Sequence, residues 1–173
     1  MRRLPDLPYA VSSMGVTSVG SKLYVLGGAD YNSLKFCVFT DCAGKNPGLG
    51  RHLLVLDTAD TASGWKPLPD LPGSPRWVHA FSRVGTKLYA IGGATSNGTV
   101  VDNWVFDTVA LRWSRLPDLA VSSGNFQTNG AESFMDRFII LVGVSSPDIA
   151  GICIALLSLS EISSKVFVRA GLR

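Results

Sequence analysis

A seven-residue segment that recurs along the chain constrains the fold more than any other feature of the sequence. Residues 22–28, Lys-Leu-Tyr-Val-Leu-Gly-Gly, return 65 residues later as residues 87–93, Lys-Leu-Tyr-Ala-Ile-Gly-Gly. A weaker third copy, Arg-Phe-Ile-Ile-Leu-Val-Gly, occupies residues 137–143, a further 50 residues along. Because internal repetition is typical of folds that stack equivalent units, we expect several copies of one small structural element.

Three further markers recur in the same order with a period near 50 residues. The segment Leu-Val-Leu-Asp-Thr at residues 54–58 returns as Trp-Val-Phe-Asp-Thr at residues 104–108, and Trp65 is matched by Trp113. Leu-Pro-Asp-Leu-Pro occurs at residues 4–8 and 68–72 and, with a final Ala, at residues 116–120. Four markers in one order exclude a chance resemblance.

Each unit is predicted to consist of β-strands. In the second unit, residues 78–84 and 87–91 are rich in β-formers and are separated by Gly85-Thr86, which favours a hairpin. The next two predicted strands span residues 103–107 and 111–116, and no window shows the 3.6-residue period of a helix. The apolar stretch 149–159 has 11 residues, too few for a membrane helix, and is predicted as a buried strand. The fold class is therefore all-β.

Four short antiparallel strands in about 50 residues describe one blade of a β-propeller, and the markers resemble the kelch repeat. The resemblance covers about 140 of the 173 residues. It implies that the glycine pair ends the second strand of each blade, and that the Tyr before it and the Trp after it pack between blades. The structural repeat residues on this reading are Gly27, Gly28, Gly92, Gly93, Tyr24, Tyr89, Trp65 and Trp113.

The repeat predicts about three kelch-type blades of four antiparallel strands, fewer than the six or seven with which kelch propellers close. We expect residues 1–10 to end a preceding blade, and residues 161–173 match no repeat feature. The expected blades are residues 11–72, with an inserted loop at 29–51, residues 73–120, and a degraded partial blade at 121–160. The chain is therefore expected to be a fragment of a larger protein, the alternative being self-association through open blade edges.

Net charge and composition narrow the classes of partner that the chain can bind. The net charge of +3 gives no reason to expect nucleic acid, and no apolar segment is long enough to cross a membrane. No signal peptide is visible behind the N-terminal Arg2 and Arg3, so a cytoplasmic location is favoured. Three cysteines and two histidines predict neither a disulfide framework nor a metal site, and we expect no cofactor.

The loop that leads into the first strand of each blade is the candidate binding site, because loops carry function on rigid scaffolds. In the second blade this loop contains Arg76, whose planar guanidinium suits a carboxylate, and His79 follows at the strand start. The resemblance implies that arginines at this position line the channel mouth. The candidate partner-binding residues are Arg76, His79, Ser12, Ser13, Ser122 and Ser123. Alternative interpretations are an ion pair within the rim for Arg76, a neutral core histidine for His79, and turn formation for the serines.

Two functions remain open. The first is a binding scaffold that engages either the acidic segment of a protein partner or a small acidic ligand. The second follows from the sequence of residues 63–76 and 92–94, which resembles the sialic acid mutarotase branch of kelch proteins. That chemistry needs an acid/base group beside an arginine, and the sequence alone does not place the base. An enzyme is therefore the less favoured reading, and the catalytic residues stay unknown.

Overall fold

The chain folds into three four-stranded antiparallel sheets. The structure, a computed structural model, describes residues 3–29, 49–95 and 98–118, and the backbone of strands 125–134, 138–146, 152–158 and 167–169. Outside the strands, these ranges hold two single-turn 3₁₀-helices, Leu49–Arg51 and Thr61–Ser63. No helix in the described part is long and apolar enough to span a membrane.

The sheets follow the repeat. Blade one has the order β1-β2-β3-β4, blade two has the order β5-β6-β9-β10, and the third sheet has the order β11-β12-β13-β14. A two-stranded ribbon, β7-β8, lies between β6 and β9 in the chain. The strands are β1 (Gly15–Val19), β2 (Lys22–Leu26), β3 (Leu53–Asp57), β4 (Lys66–Leu68), β5 (Ala80–Val84), β6 (Lys87–Ile91), β7 (Ala94–Thr95), β8 (Gly98–Thr99), β9 (Asn103–Asp107), β10 (Arg112–Leu116), β11 (Asn125–Phe134), β12 (Phe138–Ser146), β13 (Ile152–Ser158) and β14 (Phe167–Arg169). The prediction of an all-β chain of four-stranded, partial kelch-type blades is confirmed.

Two strands of blade two are shorter than the sequence predicts, because a residue with positive φ precedes each of them. The first begins at Ala80 rather than at residue 78, because Val78 has a φ of +49°. The fourth begins at Arg112 because Leu111 has a φ of +52°. Left-handed backbone cannot continue an extended strand, so both strands begin beyond these residues.

Strands β1 and β5 bring the blades together, and β5 lies between β1 and β11. Successive residues of a strand point to opposite faces, so Gly15 faces blade two whereas Val16 points away and is 51% exposed. A Cβ on Gly15 would lie 2.3 Å from the Cβ of Phe81, which shows how closely the two strands pack. The core between the blades comprises Tyr24, Leu26, Leu53, Leu71, Phe81, Leu88, Ala90 and Phe106.

In blades one and two, a tryptophan binds the Leu-Pro-Asp-Leu segment that precedes the blade. The Nε1 of Trp113 donates to the carbonyl oxygen of Pro69 at 2.8 Å, and the Nε1 of Trp65 donates to that of Pro5 at 3.0 Å. The Trp113 ring also packs 5.1 Å from the ring of Phe106. The two recurrent markers therefore serve one structural purpose, which is to fix each blade to its preceding connector.

The glycine pairs occupy positions where both the backbone conformation and the close approach of neighbouring atoms exclude other residues. Gly28 and Gly93, the second member of each pair, have φ values of +94° and +116°. A Cβ on Gly28 would lie 2.7 Å from the carbonyl oxygen of Ser12, and one on Gly93 would lie 2.8 Å from the Cβ of His79. The pairs therefore combine left-handed backbone with close contact to the loop that leads into the first strand.

At one end of the blades, short turns bind one another. We call this end the lower rim; it comprises residues 20–21, 57–64, 85–86 and 107–111. The hydroxyls of Thr58 and Thr108 donate to the carbonyl oxygens of Ser21 and Thr86, each at 2.7 Å. The carboxylate of Asp107 accepts the backbone N–H groups of Val109 and Ala110, both at 2.9 Å. The recurrent Asp-Thr pair thus closes the turns of the lower rim.

Gly15→Ala is expected to destabilise the chain by about 1–3 kcal/mol, because the added methyl overpacks the contact between β1 and β5. Ser18→Ala, on the exposed side of the same strand, is expected to change the unfolding free energy by less than about 0.5 kcal/mol. Urea unfolding measures both. Equal effects of the two substitutions would contradict the packing described for the blade interface.

Candidate functional site

The opposite end of the blades, here called the upper rim, carries every described residue of the predicted binding site. It comprises residues 8–14, 27–29, 49–52, 69–79, 92–94, 102 and 117, which lie at the starts of the first and third strands and the ends of the second and fourth. Backbone hydrogen bonds join these segments across the two blades. The upper rim is therefore built from loops that a rigid sheet framework holds in place.

Arg76 lies fully buried in the upper rim, with a side-chain exposure of 0%. Its Nη1 donates to the carbonyl oxygens of Gly92 and Asp102, both at 3.0 Å, and its Nη2 donates to Oδ2 of Asp102 at 2.7 Å. Its Nε donates to the carbonyl oxygen of Ser74 at 3.2 Å. Four of the five guanidinium N–H groups are thus used within blade two and its leading loop.

The carboxylate of Asp102 is fixed by two donors. The same Oδ2 that accepts from Arg76 also accepts from Nε1 of Trp104 at 2.6 Å. Burial alone would raise the pKa of Asp102, but the hydrogen bonds from Trp104 and Arg76 and the guanidinium charge outweigh it and hold that pKa below its ordinary value. Arg76 and Asp102 are therefore both charged at neutral pH.

The backbone of Arg76 is bound to blade one. Its N–H donates to the carbonyl oxygen of Gly50, and its own carbonyl oxygen accepts the N–H of Gly28, both at 3.0 Å. A Cβ on Gly50 would lie 2.5 Å from the backbone nitrogen of Arg76. A Cβ on Gly73 would lie 2.6 Å from both Nη2 of Arg76 and Oδ2 of Asp102. Arg76 therefore joins blade one, through its backbone, to blade two, through its side chain.

His79 lies just before β5, at the interface between blades one and two, and is 5% exposed. Neither ring nitrogen has a hydrogen-bond partner, and the ring packs edge-on against Phe81 at a centroid distance of 6.0 Å. Burial, with a smaller contribution from the Arg76 charge, lowers the pKa of His79 to about 3. The imidazole is consequently neutral at physiological pH.

The serines of blade one occupy the corresponding loop. Ser12 pairs with Ala29 through two backbone hydrogen bonds of 2.9 Å, and its hydroxyl donates to the Ala29 carbonyl oxygen at 3.3 Å. Ser13 is exposed, and its carbonyl oxygen accepts the N–H of Val78 at 3.0 Å. Ser122 and Ser123 lie outside the described residues. The structure therefore brings Ser12, Ser13, Arg76 and His79 together at one rim.

Sequence reasoning missed a second polar cluster at the upper rim. The Nδ1 of His52 lies 3.0 Å from Oδ1 of Asp70, and the ring of Tyr9 lies 5.8 Å from the imidazole. The Nε of Arg51 donates to the carbonyl oxygen of Leu71 at 2.8 Å. An alignment of blade one with blade two within the chain would have indicated this cluster, because these positions break the repeat. Among the described residues, no group of three potential metal ligands comes together.

Arg76→Ala is expected to destabilise the chain by about 3–5 kcal/mol, because it leaves the carboxylate of Asp102 without its buried partner. Arg115→Ala removes an exposed pair with Asp118 of similar length, 2.8 Å, and is expected to cost less than about 1 kcal/mol. Urea unfolding of the two variants at pH 7 gives the comparison. A loss for Arg76→Ala no larger than that for Arg115→Ala would contradict the role assigned to the buried pair.

Stability is expected to fall as the pH drops from about 6.5 towards 3, because His79 binds a proton in the unfolded chain but not in the folded one. Over that interval the unfolded state holds more protons, so the unfolding free energy rises with pH, by a few kcal/mol in total. His79→Met is expected to flatten this slope. Urea unfolding at several pH values tests this, and equal slopes for the wild type and His79→Met would contradict it.

Comparison with known proteins agrees with the repeat and with the sheets. A family profile for the Kelch motif matches residues 79–120, which is blade two. A Kelch domain-containing protein of Vibrio cholerae is 32% identical over 119 residues, 65% of this chain and 28% of that protein. An F-box/kelch-repeat protein of Arabidopsis thaliana is 29% identical over 163 residues, 84% of this chain and 39% of that protein.

A third relative, an N-acetylneuraminate epimerase of Yersinia enterocolitica, is 27% identical over 145 residues, 77% of this chain and 32% of that protein. The chain thus spans 28% to 39% of the length of these curated relatives. Blade two thus carries a Kelch motif, and the chain is similar to kelch-repeat proteins over 65% to 84% of its length.

Proposed function

We propose that this chain belongs to a scaffold that binds a protein partner through its upper rim. Kelch repeats commonly act as protein-interaction scaffolds, and the relatives include F-box/kelch and Kelch-like proteins. The upper rim presents loop residues on a framework of two packed blades, which is the arrangement that preorganises a binding surface. The partner's contacting element is proposed to be an acidic segment.

The observation that carries this proposal is a strained backbone at equivalent positions of the two blades. Ser13 and Val78 have φ values of +56° and +49°, and Val78 is β-branched, a class of residue that rarely adopts this conformation. The two residues are hydrogen-bonded to each other across the blade interface at 3.0 Å. Backbone strain of this kind persists where the surroundings impose it, and it clusters at functional sites.

The two rims differ in how their polar groups are used. The lower rim closes on itself, since Asp57, Thr58, Asp107 and Thr108 bind the neighbouring turns. The upper rim, in contrast, leaves the side chain of Ser13 exposed and the imidazole of His52 partly exposed. This difference supports the upper rim as the side that contacts a partner.

Arg76 has a specific part in this proposal. Its guanidinium is buried and bonded to Asp102, so in this arrangement it supports binding by holding the loop that presents Trp77 and Val78. His79 fills the interface beneath that loop. Both are therefore proposed as positioning residues of the binding rim, and Ser12 and Ser13 are proposed as residues closer to the partner.

A second candidate function is proton transfer on a sugar acid, by analogy with the relative named N-acetylneuraminate epimerase. The observation that favours it is the pair formed by His52 and Asp70, because a carboxylate that accepts from Nδ1 leaves Nε2 available as a base. Anomer exchange of N-acetylneuraminate, followed by NMR, tests this candidate. An exchange rate that is the same with and without the protein would exclude it.

Ser13→Gly is expected to stabilise the chain by about 1 kcal/mol, because glycine adopts a φ of +56° without strain, while weakening partner binding several-fold as the rim loosens. Peptides selected from a random 12-residue display library against the wild-type chain serve as the partner probe. Thermal unfolding and titration of the selected peptides measure the two effects. Ser63→Ala in the lower rim is the control and is expected to leave binding unchanged.

The proposal would be overturned in two ways. Either no peptide is selected that binds the folded chain saturably, or the selected peptides bind Ser13→Gly as tightly as the wild type but lose affinity for Ser63→Ala. The second result would move the binding surface to the lower rim.

A further inference from the structure

We propose that the turn between β9 and β10 docks into an apolar cleft of a second protein, and that the edge of this cleft carries acidic residues. The turn, here called the apolar tip, consists of Val109, Ala110 and Leu111 and lies at the lower rim of blade two. It is at the opposite end of the blades from the upper rim, so this contact is separate from the scaffold function proposed above and goes beyond it.

The apolar tip exposes two large hydrophobic side chains within three residues. Val109 is 77% exposed and Leu111 is 51% exposed, and the alanine between them is exposed as well. The other exposed large apolar residues in the described part of the chain, Leu4, Val16 and Val101, are isolated in the sequence. Single exposed apolar residues are ordinary, whereas adjacent ones are typical of contact surfaces.

The base of the apolar tip holds it in one conformation. The carboxylate of Asp107 accepts the N–H groups of Val109 and Ala110, both at 2.9 Å. The N–H and the hydroxyl of Thr108 donate to the carbonyl oxygen of Thr86 at 3.1 and 2.7 Å. The apolar side chains therefore project from a fixed turn, and little conformational entropy is lost when a partner binds them.

Leu111 occupies a backbone conformation that favours glycine. Its φ is +52°, and in this region the Cβ of an L-residue comes too close to the backbone. Its side chain is half exposed and does not belong to the core between the blades, so burial in that core does not offset the strain. A large apolar residue kept at such a position points to a contact outside the chain rather than to folding.

The equivalent turn of blade one lacks both features. Ala59 lies 50 residues before Val109, and its N–H binds the carboxylate of Asp57 in the same way, at 3.0 Å. The left-handed residue of that turn is Gly64, with a φ of +64°, and the exposed Ser63 before it is polar. Because the same Asp-Thr framework closes with small and polar residues in blade one, the turn does not need large apolar side chains to fold.

Two exposed basic residues flank the apolar tip and select the chemistry of its partner. Lys87 and Arg112 lie directly opposite Asp107 on the two neighbouring strands, and both are exposed. Two basic residues against one carboxylate leave the base of the tip positive. Acidic residues at the edge of the partner's cleft therefore complement this charge, while the cleft itself accepts the valine and the leucine.

Charge and buried area disfavour two other occupants. A second copy of the chain, docked tip to tip about a two-fold axis, would bring Lys87 and Arg112 of both copies together. On a membrane, two aliphatic side chains would bury less hydrocarbon than the single acyl chain that gives only marginal binding. Asp57 and Asp60, on the same rim, would also be repelled by anionic lipids. A protein cleft is therefore the occupant that the tip favours.

Photocrosslinking with the full chain identifies the partner. A chain with p-benzoylphenylalanine in place of Ala110, which leaves Val109 and Leu111 intact, is irradiated in an extract of the source cells. The same substitution at Ala62, an exposed alanine in the turn of blade one, is the matched control. A protein captured at the first position and not at the second is then identified by mass spectrometry, purified and titrated calorimetrically with the variants below.

Leu111→Gly and Val109→Ser are each expected to weaken binding of the purified partner about tenfold or more. Leu111→Gly is expected to keep the thermal midpoint within about 2 °C of the wild type, because relief of the left-handed strain offsets the lost side chain and the greater freedom of glycine in the unfolded chain. Val16→Ser removes a valine that is 51% exposed on β1, and it is expected to leave binding unchanged.

The charge of the flanks is tested with two lysines in the same register. Lys87→Gln is expected to weaken binding several-fold at low salt and to reduce its dependence on salt concentration. Lys22→Gln is the matched control, because Lys22 lies opposite Asp57 in blade one as Lys87 lies opposite Asp107. It lowers the net charge equally and is expected to leave binding unchanged.

Support requires capture at position 110 alone, saturable binding of the purified partner, and losses in Leu111→Gly and Val109→Ser that Val16→Ser does not show. The docking site is overturned if no protein is captured specifically at position 110, or if the captured protein binds both tip variants as tightly as the wild type. Equal losses in the two lysine variants would overturn the acidic edge of the cleft. Binding to vesicles of phosphatidylcholine and phosphatidylserine that Leu111→Gly abolishes would overturn the protein partner in favour of a membrane.

Discussion

The buried guanidinium of Arg76 is the contact on which the arrangement of the upper rim depends. Its backbone is bound to Gly28 and Gly50 of blade one, and its side chain is bound to Gly92 and Asp102 of blade two. A charge removed from water is tolerated only when its hydrogen-bonding groups find partners, so this one residue requires correct positions in both blades. The same requirement explains the glycines at 50 and 73, where a side chain would displace the arginine or its carboxylate partner.

The loop held by Arg76 leads directly into the strained pair at the blade interface. Val78 follows Arg76 by two residues, and its N–H binds Ser13 of blade one, so neither left-handed residue can relax alone. His79 then occupies the buried space next to Gly15 and Gly93. A binding rim built in this way is preorganised, and blade one adds exposed polar side chains at its own edge of that rim.

The repeat allowed the fold to be predicted closely, whereas the site depends on contacts that no local pattern contains. The bounds of β6 and β9 and the left-handed glycine pairs follow from β-forming runs that end at residues with special backbone freedom. The partner of Arg76, in contrast, lies 26 residues away, and the partner of His52 lies 18 residues away. Ser13 and Val78 are ordinary residues for an extended segment, so their positive φ values arise from tertiary constraint. Positions where blade one departs from blade two were the one local signal for the second polar cluster, around His52 and Asp70.

Hydrogen exchange at single amides tests the central role of Arg76 most directly. The amides of Gly28 and Val78 bind Arg76 and Ser13, and the amides of β6 provide an internal reference. In Arg76→Met, protection at Gly28 and Val78 is expected to fall at least about tenfold while β6 stays protected, because the rim opens locally. Unchanged protection at both amides, or an equal loss throughout β6, would contradict the view that Arg76 specifically holds the upper rim.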